Sequence, residues 1–178
     1  MELTLSTAES RARYRLLTSI IAPRPIAFVS TVDVAGVCNL APFSFFMMGG
    51  GNPPSLAFSP LTGRAVAAKD TLRNIEATGE FVVNVVTRAM ADAVNATSFD
   101  FPPDVDEFDI ARLTKEPAHL VRPPRVAESP AVLECRLFQV VRHGDGALAA
   151  NYVIGEIVHV RVADGALSAD GLLSLIHI

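Results

Sequence analysis

Apolar and polar positions change their period several times along this chain, and each change predicts an element. Ser6 followed by Glu9 forms a capping-box pattern, which predicts a helix from about Thr7 to Thr18. Pro23 and Pro25 forbid its continuation and force extended chain. The run "IAFVSTV", Ile26 to Val32, predicts a β-strand, "DVAG" a turn, and Val37 the start of a second strand. "SLAFSP" has the composition of a buried strand. "KDTLRNIEATG" predicts a short helix, with Asp70 as N-cap and Gly79 as its stop. "FVVNVV", Phe81 to Val86, is apolar throughout and predicts a fully buried strand, and "RAMADAVNATS" a further helix. "AVLECRLFQVV" and "YVIGEIVHVRV" return to strand grammar around the connection "HGDG". In the second, Val158, Val160 and Val162 alternate with His159 and Arg161, the pattern of a half-buried strand.

Two stretches resist a simple period. Asn39 to Pro60, "NLAPFSFFMMGGGNPPSLAFSP", is mostly apolar yet holds three consecutive glycines and four prolines. Phe99 to Pro130 is loop-like, with seven acidic residues and six prolines, and a connection this long predicts a lid, a wrapping arm or a partner-facing segment. No internal repeat and no Ser/Gly-rich linker divides the chain, so one domain over residues 1–172 is expected. Five or more short strands with few helices predict a mainly β fold, a β-barrel with a few α-helices.

Composition narrows the class. Half of the 178 residues are hydrophobic and 19% are charged, which excludes a disordered chain. That apolar surplus predicts a second copy covering exposed surface, hence a homodimer. The formal charge of -4 argues against a nucleic-acid partner. No apolar run is long enough to span a bilayer, and the N-terminal segment lacks a secretion signal, so no membrane partner and a cytoplasmic location are expected. Cys38 and Cys135 lie far apart and form no CxxC, as in a reducing compartment. His119 and His143 have no partners at metal spacing, so no metal is expected.

Phe43, Phe45, Phe46 and Met47 offer the walls of a flat slot, with Asn39 and Ser44 to read a polar edge. Lys69 and Thr71 stand at a helix start, where free backbone N–H groups favour a phosphate. A flat apolar pocket beside an anion site describes a phosphorylated aromatic cofactor. Plainer readings stand beside this one: an aromatic run with glycines is also a core plus a turn, and Lys-Asp-Thr is also ordinary capping. Cys38 has a redox reading and a packing reading. His159 is either near a nicotinamide or solvated on its strand. No Gly-rich dinucleotide fingerprint follows a strand, which argues against a Rossmann dehydrogenase.

Several blocks, in order, resemble the flavin reductase-like family with its FMN-binding split barrel. They are "PRPIAFVSTVDVAGVCNLAPFSFF", "NPPSLAFSP", "KDTLRNIEATGEFVVNVV", "NATSFDFPPDVDEFDIARLT", "PPRVAESPAVLECRL" and "VIGEIVHVRV", spanning about Tyr14 to Asp164. The resemblance implies a homodimer with FMN near the subunit interface. It also implies NADH- or NADPH-dependent flavin reduction, with reduced flavin passed on to a partner monooxygenase. Carried onto this chain, Ser30 and Thr31 and the segment Asn39, Leu40, Ala41, Pro42, Ser44 and Phe45 hold the ring and ribityl parts. Ser59, Lys69, Asp70 and Thr71 serve the ribityl-phosphate region, with Arg24 as a further phosphate or interface contact or a surface residue. No catalytic acid, base or nucleophile is expected, because the hydride chemistry belongs to the two cofactors. Backbone amides after Asn39 are expected to face the electron-rich edge of the reduced ring. An FMN-binding electron-transfer or flavin-storage protein is the alternative reading, and a redox-silent barrel with another ligand a third.

The last six residues, Leu173 to Ile178, read like the translation of a sequencing-transposon end. The expectation is that they are not native and that the natural gene runs on.

Overall fold

In the computed structural model, which describes residues 2, 4–7, 9–63 and 68–173, nine strands and four α-helices follow one another along the chain. All but Leu173 of the suspect tail lie outside the described residues. The N-terminal helix α1 covers Ser10–Ile20, starting later than the capping-box pattern predicts. Leu5–Thr7 is a single 3-10 turn, and Glu9 rather than Ser6 caps the helix. Its carboxylate accepts from the amides of Arg11 and Ala12, each at 2.9 Å, so it satisfies the first free N–H groups itself.

Strands β1 (Ala27–Val32) and β2 (Cys38–Phe43) form a hairpin across the predicted turn. Asp33 there accepts from the amides of Ala35 and Val37, both at 2.8 Å. The broken apolar stretch resolves into more strand than its glycines suggest. Beyond β2 it forms β3 (Phe46–Gly51), which pairs antiparallel with β4 (Pro54–Phe58) through a bulge near Met48. Helix α2 spans Asp70–Thr78 and stops at Gly79, whose φ of 73° suits glycine. Lys69, not Asp70, occupies the cap position, and its ammonium has no acceptor to offer the free amides, while the Asp70 carboxylate pairs with Arg73.

Strand β5 (Glu80–Asn84) follows, then a 3-10 turn, Arg88–Met90, that leads into α3 (Ala91–Ala96). The arm from Phe99 to Pro130 is not structureless. It carries α4 (Glu107–Ala111) and a small ladder of β6 (Lys115–Glu116) with β7 (Arg125–Val126). Strands β8 (Ala131–His143) and β9 (Ala150–Val162) are the longest.

Seven strands make one antiparallel sheet in the order β2-β1-β5-β8-β9-β4-β3, the mainly β architecture expected. Its inner face gathers Val29, Phe58, Phe81, Val83, Cys135 and Val153 with Leu72 and Ile75 of α2. Burying such side chains stabilises by about 1.5–3 kcal/mol each. Gly155 is required here, because a Cβ would stand 2.4 Å from the Phe81 ring. On the other side of β1, Phe28 and Leu40 pack with Met90, Val94, Phe108 and Val126, which seats α3, α4 and the arm. The predicted valine alternation in β9 fails. Glu134 pairs with His159 and Cys135 with Ile157, so Val158 is the extra residue of a bulge, and Val160 is 52% exposed.

Candidate functional site

The N-terminal end of α2 lies beside the edge of β2, and side chains join them. Asn39 donates to the Thr71 hydroxyl at 2.9 Å, and Asn74 donates to the Thr31 hydroxyl at 3.1 Å. All four residues are buried, so these bonds fix the helix start against the strand. Between them opens a narrow cleft of about 100 Å³. Asn39, Ala41, Pro42 and Phe43 form one wall, Lys69, Asp70 and Thr71 the second, and Phe99, Asp100, Phe101 and Glu107 of the arm the third. A broader apolar hollow of about 470 Å³ adjoins it, sharing Pro42 and Ser98, with Val86, Arg88 and Val94 in its lining.

The cleft can hold an anion. Lys69 supplies an ammonium group, at present paired with the exposed carboxylate of Asp100. The first amides of α2 have no side-chain cap. Thr71 uses its oxygen lone pair for Asn39 and keeps its proton free to donate. Beside these donors the aromatic and proline walls suit a flat ring. Opposing charge comes from Glu107. Desolvation pushes its carboxyl above the usual carboxylate range, outweighing the amides of Leu40 and of Glu107 itself, and the neighbouring Asp106 adds to the rise. Burial therefore favours its neutral form, which relieves the repulsion of an incoming anion.

The expected site residues divide into four groups. Asn39, Ala41, Pro42, Lys69, Asp70 and Thr71 line the cleft together. Ser30, Thr31 and Leu40 do not line it. Ser30 is fully buried, donates to the Pro124 carbonyl and accepts from Asn84, so it anchors the arm. Thr31 braces Asn74, and the side chain of Leu40 packs under α3 and α4. The Leu40 amide is taken by Glu107 at 2.9 Å, so it does not face the cleft as a free donor. Phe45 and Ser59 border a different groove against α1. Ser44 accepts from the Arg24 guanidinium at 3.3 Å. Arg24 also donates to the Thr18 and Ile21 carbonyls and lies over the Phe45 ring, so it holds the end of α1. Half-buried Cys38 packs against the cluster beneath α3 and α4.

Sequence reasoning missed the residues the arm contributes. Glu107, Thr97, Ser98 and the Phe99–Phe101 stretch reach the cleft only through tertiary packing. His159 stands away from the cleft and is partly exposed: its Nδ1 lies 3.2 Å from Glu134, and its ring lies 4.9 Å from that of His119.

Known proteins resemble this chain in sequence and fold. A family model described as the flavin reductase like domain matches residues 20–177. An uncharacterised protein of Halalkalibacterium halodurans is 40% identical over 174 residues, covering 97% of this chain and 83% of the relative. The crystal structure of nitrilotriacetate monooxygenase component B from Bacillus cereus matches with a TM-score of 0.91 and 32% identity, over 97% of this chain and 86% of that one. A protein of Shewanella frigidimarina with a split barrel domain matches with a TM-score of 0.82 and 28% identity, over 98% and 86% of the two chains.

Proposed function

The chain belongs to the flavin reductase-like family of split-barrel oxidoreductases, which work on a flavin, and from that premise we propose that it is an NADH- or NADPH-dependent FMN reductase. The observation that carries this reading is the cleft at the start of α2, where an ammonium, a hydroxyl proton and uncapped amides adjoin aromatic walls. Lys69, Thr71 and the first amides of α2 would hold the phosphate. Asn39 keeps the Thr71 hydroxyl turned so that its proton is available. Pro42 and Phe43, with the adjoining apolar hollow, would take the ring. A bound flavin supplies the two-electron acceptor for a hydride from reduced nicotinamide.

The chain's own contribution is positional. It fixes a ring on a rigid strand edge and excludes water with the arm, and proximity of this kind needs no acid or base from the protein. The exposed apolar residues Ile20, Met47, Met48 and Phe138 support a homodimer. Among the described residues no helix is long and apolar enough to cross a membrane, and work in the cytoplasm is part of the proposal. By analogy with a relative named as a monooxygenase component, the reduced flavin would go to a monooxygenase.

Fluorescence titration with FMN, followed by NADH and NADPH oxidation with and without added FMN, tests the reading. Saturable FMN binding that weakens at least tenfold in Lys69→Ala, with flavin-stimulated NAD(P)H oxidation, is the expected result. FMN binding without stimulated oxidation would favour the electron-transfer or storage alternative, and absence of both would reject the proposal.

A further inference from the structure

The arm is fastened unevenly along its length. Beyond Pro117, side chains of the sheet accept its amides: Glu134 those of His119 and Leu120, Glu80 that of Arg122, and Asn84 that of Val126. The stretch from Phe99 to Val105 has no such anchors. Among the described residues its one backbone hydrogen bond is internal, from the Val105 amide to the Pro102 carbonyl at 3.0 Å. Its one polar side-chain tie among them is the ion pair of Asp100 with Lys69. Phe99 is 65% exposed, so packing adds little there. Yet Phe99, Asp100 and Phe101 form a wall of the cleft.

That ion pair is built to exchange. The Asp100 side chain is 85% exposed, and that of Lys69 38%. A carboxylate so well hydrated loses little on letting go, and exposed pairs contribute little to stability. Asp100 meets Lys69 alone, whereas the cleft offers more than an ammonium. Thr71 is 1% exposed, accepts from Asn39 and has no acceptor for its own proton among the described residues. The first amides of α2 carry no side-chain cap. A phosphate monoester bears about two negative charges at neutral pH and several acceptor oxygens, so it can engage all of these donors where one carboxylate engages one.

We propose that Asp100 is an autoinhibitory latch: in the empty cleft its carboxylate occupies Lys69, and an incoming phosphate displaces it and frees the Phe99–Val105 stretch. The inference rests on the reading of the cleft as the phosphate end of an FMN site and adds to it a carboxylate of the chain that competes with the ligand. A ligand without a phosphate has no need to open the latch.

Fluorescence titration of the full chain with FMN and with riboflavin, which lacks the phosphate, tests the latch in the parent, Asp100→Asn, Lys69→Ala and the double variant. Asp100→Asn should tighten FMN about two- to fivefold at low salt, the range in which an exposed ion pair can compete. Added salt should shrink that gain. Riboflavin should bind the parent and Asp100→Asn equally. In the Lys69→Ala background Asp100→Asn should bring little gain, because the carboxylate then has no ammonium to occupy. An equal gain with and without Lys69 would make Asp100 an ordinary surface charge that repels the ligand, and would overturn the latch. FMN binding that needs Lys69 but ignores Asp100→Asn would overturn the latch and leave the phosphate reading standing. FMN bound no tighter than riboflavin, with Lys69→Ala without effect, would overturn that reading and the latch with it.

Discussion

Two buried glutamates hold the arm against the sheet, and their carboxyl groups are driven in opposite directions. Glu134 on β8 is 2% exposed and Glu107 on α4 is 6% exposed, so both are closed to solvent, although Glu107 has more protein packed around its carboxyl. Desolvation is the largest influence on each and pushes both carboxyls up. At Glu134 the amides of His119 and Leu120, at 2.8 and 2.6 Å, together with His159, outweigh it, and the group ends below its ordinary value. At Glu107 the amide of Leu40 and its own amide do not suffice, Asp106 opposes them, and the group ends above. The difference teaches that the donors facing a buried carboxylate, weighed against the depth of its burial, decide whether it serves as an anchor or as a neutral filler.

Removing the stronger anchor gives the largest expected effect. Glu134→Ala leaves the amides of His119 and Leu120 without their acceptor beneath the arm. The expected loss is about 3 kcal/mol in urea denaturation, with faster hydrogen exchange at those two amides. Exchange that stays slow would mean that Asn84, which accepts the Val126 amide at 2.8 Å, and Glu80, which accepts the Arg122 amide at 3.0 Å, hold the arm alone.

Glutamine at each position sharpens the contrast. Glu134→Gln keeps one acceptor oxygen for two amides and should cost about 1–2 kcal/mol. Glu107→Gln keeps an acceptor for the Leu40 amide and removes a charge that burial disfavours, so its stability should stay within about 0.5 kcal/mol of the parent. Equal losses in the two variants would break the comparison.

The same pair predicts opposite pH dependence. A lowered folded value at Glu134 means stability present above the unfolded value of about 4.3 and lost as pH falls through the folded value. A raised folded value at Glu107 means stability present below the unfolded value and lost as pH rises through the folded one. Denaturation midpoints measured from pH 3 to 7 should therefore lose part of their acid slope in Glu134→Gln. In Glu107→Gln that slope should steepen instead.

Much of the frame was legible because its signals are local. Gly79 ends α2 where a left-handed residue was needed, and the β1–β2 turn follows from Asp33 and Gly36. Asn39, Lys69 and Thr71 were readable as neighbours in one cleft because a helix start and the strand edge beside it carry their own chemistry. The anchors were not legible. In Glu134 with His119 and Leu120, and in Glu107 with Leu40, the donors are backbone amides, which every residue but proline carries. No residue pattern marks such a pair, and the Glu107–Leu40 bond spans 67 positions. The resemblance groups Ser59 with the phosphate residues, and the fold sets it in a groove beside α1. Ser30 looked like a polar group at a strand end, whereas the arm, ordered on tertiary contacts, covers it completely.

The smallest expected effect carries the comparison into the cleft itself. Glu107 and Lys69 line the same space, and the other two carboxylates there are already paired, Asp70 with Arg73 and Asp100 with Lys69. Glu107 is thus the carboxyl among the cleft residues whose charge depends on pH without a cationic partner among the described residues. When it ionises, it opposes a phosphate held by Lys69 and the α2 amides. Glu107→Gln should then tighten FMN binding about two- to threefold at pH 8, a modest gain because ions screen the cleft. At pH 5 the gain should be smaller, because the raised carboxyl takes up its proton more readily than an ordinary one. Fluorescence titration at the two pH values makes the measurement. A variant that binds FMN more weakly at both would mean that Glu107 contacts the ligand directly, and the contrast with Glu134 would then reflect function rather than donor count.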